Sequence, residues 1–234
     1  LYDKIYSLFG LNYAIELSTR PDSFIGEIST WDKAEEALKE CCLATGHEFK
    51  INPGDGAFYG PKLDFKLRDS LNRVWQCGTV QLDMQLPGRF NCTYIDSDGS
   101  KKTPVMIHRA CFGSLERFIG IILENTAGNF PLWLTPVQIQ LLPVNSSLHL
   151  EFSKKLKERF EENGFRAELD ESDEKLGYKM RQAQLKKVPY ILVIGDNEKN
   201  NGTVSYRKHG EQDATTVSIE DFIKLLKEEV KIFK

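Results

Sequence analysis

Four short stretches of this 234-residue chain combine residue types that could hold a small polar ligand. The first is Gly54-Asp55-Gly56-Ala57-Phe58-Tyr59-Gly60-Pro61-Lys62. Its glycines allow close backbone approach to a ligand, and Lys62 could neutralise a phosphate as a point charge. A tight turn with a surface lysine explains the same letters. The second, Trp75-Gln76-Cys77-Gly78-Thr79-Val80-Gln81-Leu82-Asp83, sets Gln76 and Gln81 in a strand-like run. Their amides offer donor and acceptor together, although a solvent-facing strand accounts for them equally well, and Cys77 suits a small core position. The third, Val105-Met106-Ile107-His108-Arg109-Ala110, carries a histidine at a strand end, either a structural hydrogen bonder or a metal ligand. In the fourth, Gly113-Ser114-Leu115-Glu116-Arg117-Phe118, glycine and serine open a helix whose free N–H groups favour an anion. Arg117 in its first turn could meet a triphosphate or lie on a purine ring. An ordinary capped helix with a surface arginine is the alternative.

The elements that position these groups read in two rhythms. Ser29-Thr30-Trp31-Asp32 looks like a helix start, and Trp31, Ala34, Leu38, Cys41 and Cys42 follow at helical spacing up to Gly46. Leu63, Phe65 and Leu67 then alternate with charged residues, and Val80, Leu82, Met84 and Leu86 alternate again. Residues 91–95 and 103–107 flank Asp98-Gly99 as in a hairpin. Successive strands point to an antiparallel sheet. Residues 113–127 read as a helix with Leu115, Phe118, Ile119, Ile122 and Leu123 on one stripe. Pro131 and Pro136 suggest a linker. Beyond it, strands at 137–144, 165–169 and 190–194 alternate with helices at 148–163 and 175–187. An edge strand at 203–207 and a final helix from Ile219 to Phe233 complete a small α/β domain with a mixed sheet.

Composition narrows the class. The chain is 41% hydrophobic and 28% charged with a net charge of −3, as in a globular protein, and no bulk basic charge announces a nucleic-acid coat. No apolar run approaches the ~20 residues of a membrane span. The five cysteines form no C-x-x-C pair, which suits a reducing compartment over a disulfide scaffold. The start, Leu1-Tyr2-Asp3-Lys4, is neither a signal peptide nor an initiator methionine and reads as part of something longer.

Together and in this order, the four stretches and Glu16-Leu17-Ser18-Thr19-Arg20-Pro21 resemble the C-terminal portion of the threonyl-tRNA synthetases, class IIa aminoacyl-tRNA synthetases. The resemblance implies an α+β fold. Residues 1–135 would be the end of the antiparallel-sheet class II catalytic domain, incomplete at its N-terminal side. Residues 136–234 would be an α/β mixed-sheet anticodon-binding domain, matched through Glu174-Lys175-Leu176-Gly177-Tyr178-Lys179-Met180-Arg181 and residues 188–196. It implies activation of L-threonine by ATP and transfer to tRNA(Thr). His108 would be one of three protein ligands of a catalytic Zn²⁺, a metal that leaves room for substrate and selects its hydroxyl. Tyr59, Gln76, Cys77 and Gln81 would line the substrate pocket. Lys62 would position the carboxylate and phosphate region. Arg117 would pack on adenine and reach the triphosphate, beside Ser114, and Mg²⁺ would accompany ATP. Lys175, Arg181, Glu198 and Arg207 occupy positions that contact the anticodon, whose unpaired bases are read by edge and by stacking.

The resemblance further implies a cytoplasmic homodimer. The two remaining zinc ligands and class II motifs 1 and 2 are expected upstream of Leu1, so these residues alone are expected to bind zinc weakly and not to aminoacylate. Competing readings are a non-catalytic synthetase-like RNA-binding paralogue and a synthetase for proline or another amino acid.

Overall fold

Leu63, Phe65 and Leu67 are buried while Lys62, Asp64 and Lys66 share the opposite face, the period-two pattern of a strand covered on one side. In the computed structural model, which describes residues 1–231, that strand is the centre of the first of two units, divided after Asn125. The first unit runs α1 (Tyr2–Leu8), β1 (Tyr13–Ser18), α2 (Ile28–Ala44), β2 (Phe49–Asn52), β3 (Lys62–Arg68), β4 (Val74–Asp83), a one-turn α3 (Leu86–Arg89), β5 (Tyr94–Ile95), β6 (Lys101–Lys102), β7 (Met106–Ala110) and α4 (Leu115–Asn125). The sheet order is β2-β1-β3-β4-β7, antiparallel except between β1 and β2.

The apolar face of this sheet is covered partly by α1. The Tyr2 ring stacks on Phe65 at 3.7 Å between centroids, and the Tyr6 hydroxyl donates to the Cys111 carbonyl at 2.6 Å. Gly78 makes that approach possible, because a Cβ there would lie 2.5 Å from the Tyr6 oxygen and 2.6 Å from the Tyr2 ring. On α2, Trp31, Ala34, Leu38 and Cys42 are buried, as their spacing predicts. The helix starts at Ile28, after an extended Glu27 that makes no side-chain cap, so the box read at Ser29 and Asp32 does not form.

The structure differs from three other expectations. The hairpin around Asp98-Gly99 pairs Tyr94 and Ile95 with Lys102 and Lys101; Met106–Ala110 instead joins the main sheet beside β4. Leu86 lies in α3, because β4 ends at Asp83, whose carboxylate accepts the Gln85 and Leu86 N–H groups and turns the chain. On α4 the buried stripe is Phe118, Ile121 and Ile122, while Leu115, Ile119 and Leu123 form an adjacent, exposed stripe.

The second unit runs β8 (Ile139–Pro143), α5 (Ser146–Glu162), β9 (Ala167–Leu169), α6 (Leu176–Leu185), β10 (Tyr190–Ile194), α7 (Asp196–Asn201), β11 (Thr203–Lys208), β12 (Thr215–Ser218) and α8 (Ile219–Glu229). Its sheet order is β12-β11-β10-β8-β9, with β9, β8 and β10 parallel and the other two strands antiparallel. Tyr190, Leu192 and Ile194 face a core with Phe160 of α5 and Phe222 of α8, whereas Ile191 and Leu142 face Ala183 of α6. Strand β11 lies inside the sheet rather than at its edge, because β12, unread in the sequence, pairs with it. Helix α8 is described to Glu229, and Phe233 lies outside the described residues. The linker expected near Pro131 and Pro136 packs with this unit: Leu132 is in its core and the Arg166 guanidinium donates to the Trp133 and Thr135 carbonyls.

Candidate functional site

Strand register decides which candidate side chains meet. Lys62 pairs with Gln81, and Gln81 with His108, so one row across β3, β4 and β7 carries an ammonium, an amide and an imidazole on the same face. Gln76 lies five residues from Gln81 and would face the other way in a regular strand. The register shifts here: Phe65 pairs with Gly78 and Lys66 with Gln76, leaving Cys77 as the extra residue of a bulge. The bulge returns Gln76 to the polar face, where its Nε2 donates to Asp64 Oδ1 at 2.5 Å. Cys77 itself is buried, and burial, outweighing the nearby Arg117 charge, pushes its thiol up.

Asp64 organises this face. Its carboxylate is fully buried and accepts from Ser18 Oγ at 2.7 Å, Lys62 Nζ at 2.8 Å and Gln76. Lys62 is thereby fixed, with Asp55 a second carboxylate at 3.7 Å. Asp64 was not singled out in the sequence, and Ser18 stood there only within the stretch of residues 16–21, without a role. The readable signal was Lys62, Asp64 and Lys66 in strict alternation, two cations bracketing an acid.

Tyr59 reaches the row from the preceding loop, its hydroxyl donating to Gln81 Oε1 at 2.7 Å and its ring 6.1 Å from that of His108. Burial, with the Asp83 charge, raises its phenol despite the opposing Lys62. Gly60 permits this placement. A Cβ there would lie 1.7 Å from the Leu82 carbonyl oxygen. Gly60→Ala is therefore expected to cost about 3 kcal/mol and to pull Tyr59 from Gln81, read as a lower urea midpoint for the first unit.

His108 Nε2 lies 2.9 Å from Asp83 Oδ2, a fully buried carboxylate that the sequence reading quoted without a role. Burial pushes Asp83 up, but the Leu86 and Gln85 N–H groups and the imidazole outweigh it and hold the carboxyl below its usual range. A depressed carboxylate contributes stability above its unfolded pKa, about 4, that is lost as pH falls through the folded value. Unfolding measured from pH 6 to 3 is expected to show a stability loss that Asp83→Asn makes shallower.

Arg117 sits apart from the row. Its guanidinium lies over the Trp75 ring at 5.4 Å, with Arg73 on the same indole at 5.5 Å. The Trp75 indole donates to Asp69 at 2.8 Å, and Asp69 also takes the Arg73 guanidinium at 2.5 Å. Ser114 caps α4: its hydroxyl accepts the Arg117 N–H at 3.3 Å and donates to Glu116 at 2.8 Å. A cavity of about 690 Å³ opens on the apolar face, lined by Tyr2, Ile15, Phe65, Ile107 and Arg109 among others, and none of the candidate residues lines it.

In the second unit the anticodon-side candidates lie on α6, α7 and β11. Arg207 pairs with Ile191, which faces α6, and its Nε is buried without a partner among the described residues. Glu198 on α7 accepts from Ser205 of β11 at 2.6 Å and from the Gly195 N–H at 2.9 Å. Lys175 caps α6 with extended backbone, and Arg181 is exposed on the same helix.

Residues 1–126 match the tRNA synthetase class II core domain (G, H, P, S and T), and residues 138–229 the anticodon binding domain. A threonine–tRNA ligase from Desulforamulus reducens is 50% identical over 231 residues, and one from Clostridium botulinum is 49% identical. The chain is covered to 99% in both matches and spans 36% of the length of these curated relatives. Among solved structures, the RNA binding domain of threonyl-tRNA synthetase from Cryptosporidium parvum Iowa II superposes with a TM-score of 0.90 at 39% identity. That match covers 97% of this chain and 57% of that one. A putative threonyl-tRNA synthetase from Aeropyrum pernix gives 0.71 at 25% identity, covering 98% and 59%.

Proposed function

The chain belongs to the class II tRNA synthetase core family, joined to an anticodon-binding domain, and from that membership we propose that it forms the C-terminal part of a threonine–tRNA ligase. The observation that supports this reading most is the row Lys62–Gln81–His108, with Tyr59 hydrogen-bonded to Gln81 at its side. A binder of RNA alone has no physical need of these groups together.

The reaction proposed has two steps. A threonine carboxylate oxygen attacks the α-phosphorus of ATP, the bond to the bridging oxygen breaks, and its electron pair leaves on pyrophosphate. A ribose hydroxyl of tRNA(Thr) then attacks the threonyl carbonyl and displaces AMP. The protein's contribution is positioning and charge. Lys62, with Asp64 accepting one hydrogen bond, keeps two others to offer to the threonine carboxylate and the α-phosphate. Tyr59, Gln76 and Gln81 would orient the amino acid. Cys77 would act from behind them through the bulge it forms. Arg117, released from or kept on Trp75, would stack on adenine and meet the triphosphate, with the Ser114 cap fixing its helix. Mg²⁺ would accompany ATP.

Zinc stands differently. His108 is suited to give one donor through Nδ1, since Nε2 meets Asp83 in the way a second shell orients a metal-bound histidine. The described residues hold no group of three His, Cys, Asp or Glu able to bind a metal, so they do not by themselves fit the ion.

On the anticodon side, Lys175 and Arg181 would meet backbone or base, Glu198 would accept from a base amino or imino group, and Arg207 has a buried donor, unpartnered among the described residues, to offer. The protein is proposed to act as a homodimer in cytoplasmic translation. Among the described residues no helix is long and apolar enough to cross a membrane. Filter binding tests the RNA half of the proposal. The chain should retain a tRNA(Thr) transcript about tenfold more tightly than one whose anticodon is exchanged for a proline anticodon, and Arg207→Ala should remove most of that preference. Equal binding of the two transcripts would sink it.

A further inference from the structure

Glu198 is carried on a helix of six residues, between Gly195 and a left-handed Gly202 at φ 63°, and its own element fixes only one carboxylate oxygen, Oε2, through the N-cap Gly195 N–H. The neighbouring strands fix the other. Ser205 Oγ lies 2.6 Å from Glu198 Oε1, and Thr216 Oγ1 lies 2.7 Å from Ser205 Oγ. Strand register puts Ser205 opposite both Val193 and Thr216, two residues along β11 from Arg207 and on the same face.

The direction of the relay follows from donor and acceptor chemistry. An ionised carboxylate only accepts. The Ser205 hydroxyl has one hydrogen and must give it to Glu198, so the Thr216 hydroxyl must donate to Ser205. Burial alone would raise the Glu198 carboxyl, but the Ser205 hydroxyl and the Gly195 N–H outweigh it and hold the group below its usual range, ionised at neutral pH. With Oε1 tied to Ser205 and Oε2 to Gly195, each oxygen keeps about one lone-pair site for a further donor. A fixed carboxylate with one acceptor site on each oxygen matches a base edge that presents two adjacent donors. Guanine offers such an edge in N1–H and N2–H; adenine places an acceptor at N1.

We propose that Ser205, oriented by Thr216, is a positioning residue that holds the Glu198 carboxylate to read the guanine of the anticodon. This rests on the anticodon-reading role proposed for Glu198 above. Without the Ser205 hydroxyl, Oε1 loses its tether and Glu198 keeps only the Gly195 N–H, so the carboxylate swings and the second donor of guanine is no longer read.

The test uses the whole 234-residue chain and a threonine anticodon stem-loop with the anticodon UGU, which holds a single guanine. A second loop carries inosine there, which keeps N1–H and lacks the N2 amino group. The unsubstituted chain is expected to prefer guanosine over inosine about tenfold. Ser205→Ala should reduce that preference to about twofold while binding the inosine loop as before. Ser205→Thr should restore the preference, and Thr216→Val should fall between. Glu198→Gln reports on the underlying reading and should abolish the preference. If Ser205→Ala keeps the full preference while Glu198→Gln loses it, the positioning role is wrong and Glu198 still reads the base. If Ser205→Ala weakens both loops equally, the residue is structural and the inference falls. If Glu198→Gln also keeps the preference, the reading itself fails and the inference with it.

Discussion

Asp64→Ala is expected to cost the first unit about 3–5 kcal/mol, the range seen when one partner of a buried ion pair is removed. The carboxylate is wholly buried and accepts from Ser18, Lys62 and Gln76. Alanine would leave a hydroxyl, an amide hydrogen and an ammonium without their acceptor in a mostly dry place, and each uncompensated group adds its own desolvation cost. Asp64→Asn should cost less, because an amide oxygen still accepts, but its NH₂ group would oppose Lys62. The check is urea unfolding followed through Trp31 and Trp75 for the first unit and Trp133 for the second. The midpoint of the first should fall and that of the second should not. An unchanged first transition would mean that water, not Asp64, satisfies the polar face.

The second large effect concerns catalysis. When this chain replaces the matching residues of the Desulforamulus enzyme, Arg117→Ala is expected to lower ATP–pyrophosphate exchange about 10²- to 10³-fold, the usual loss on removing a group that stabilises developing charge. Arg117→Lys should recover little, since a compact ammonium does not reproduce a planar guanidinium that both stacks and donates. Stability should change by less than about 0.5 kcal/mol, because Ser114 still caps α4 and Arg73 still covers Trp75. A large fall in the unfolding midpoint would assign Arg117 to the Trp75 cluster instead of the reaction.

Much of this was legible in the residues, and what was missed has local causes. The strands around Leu63, Phe65 and Leu67 and at Tyr190–Ile194 stood out because one face, or both, is continuously apolar. The assignment of 103–107 to the Asp98-Gly99 hairpin failed because a turn signal fixes only its immediate partners. Met106–Ala110 finds better pairing with β4, more than twenty residues away. β12 was invisible because Thr215, Thr216, Val217 and Ser218 have no alternation strong enough to mark a strand. In the site, Tyr59, Lys62, Gln81 and His108 were singled out and do come together, whereas Arg117 rests on Trp75 outside that group. Gln76 is the instructive case. Alternation alone places it away from Gln81, and only the bulge at Cys77, which depends on pairing with β3, brings it back. Asp64 and Asp83 went without a role because an acid among strand residues reads as solvent-facing until the partners that bury it are known.

The most direct test of the central claim is amino-acid-dependent ATP–pyrophosphate exchange by the Desulforamulus enzyme in which this chain replaces the 231 matching residues. The expected result is exchange with threonine, none with proline and discrimination against valine, with His108→Ala abolishing the threonine-dependent exchange. A folded chimera that exchanges with no amino acid, or that accepts proline as readily as threonine, would contradict the assignment of these residues to a threonine site.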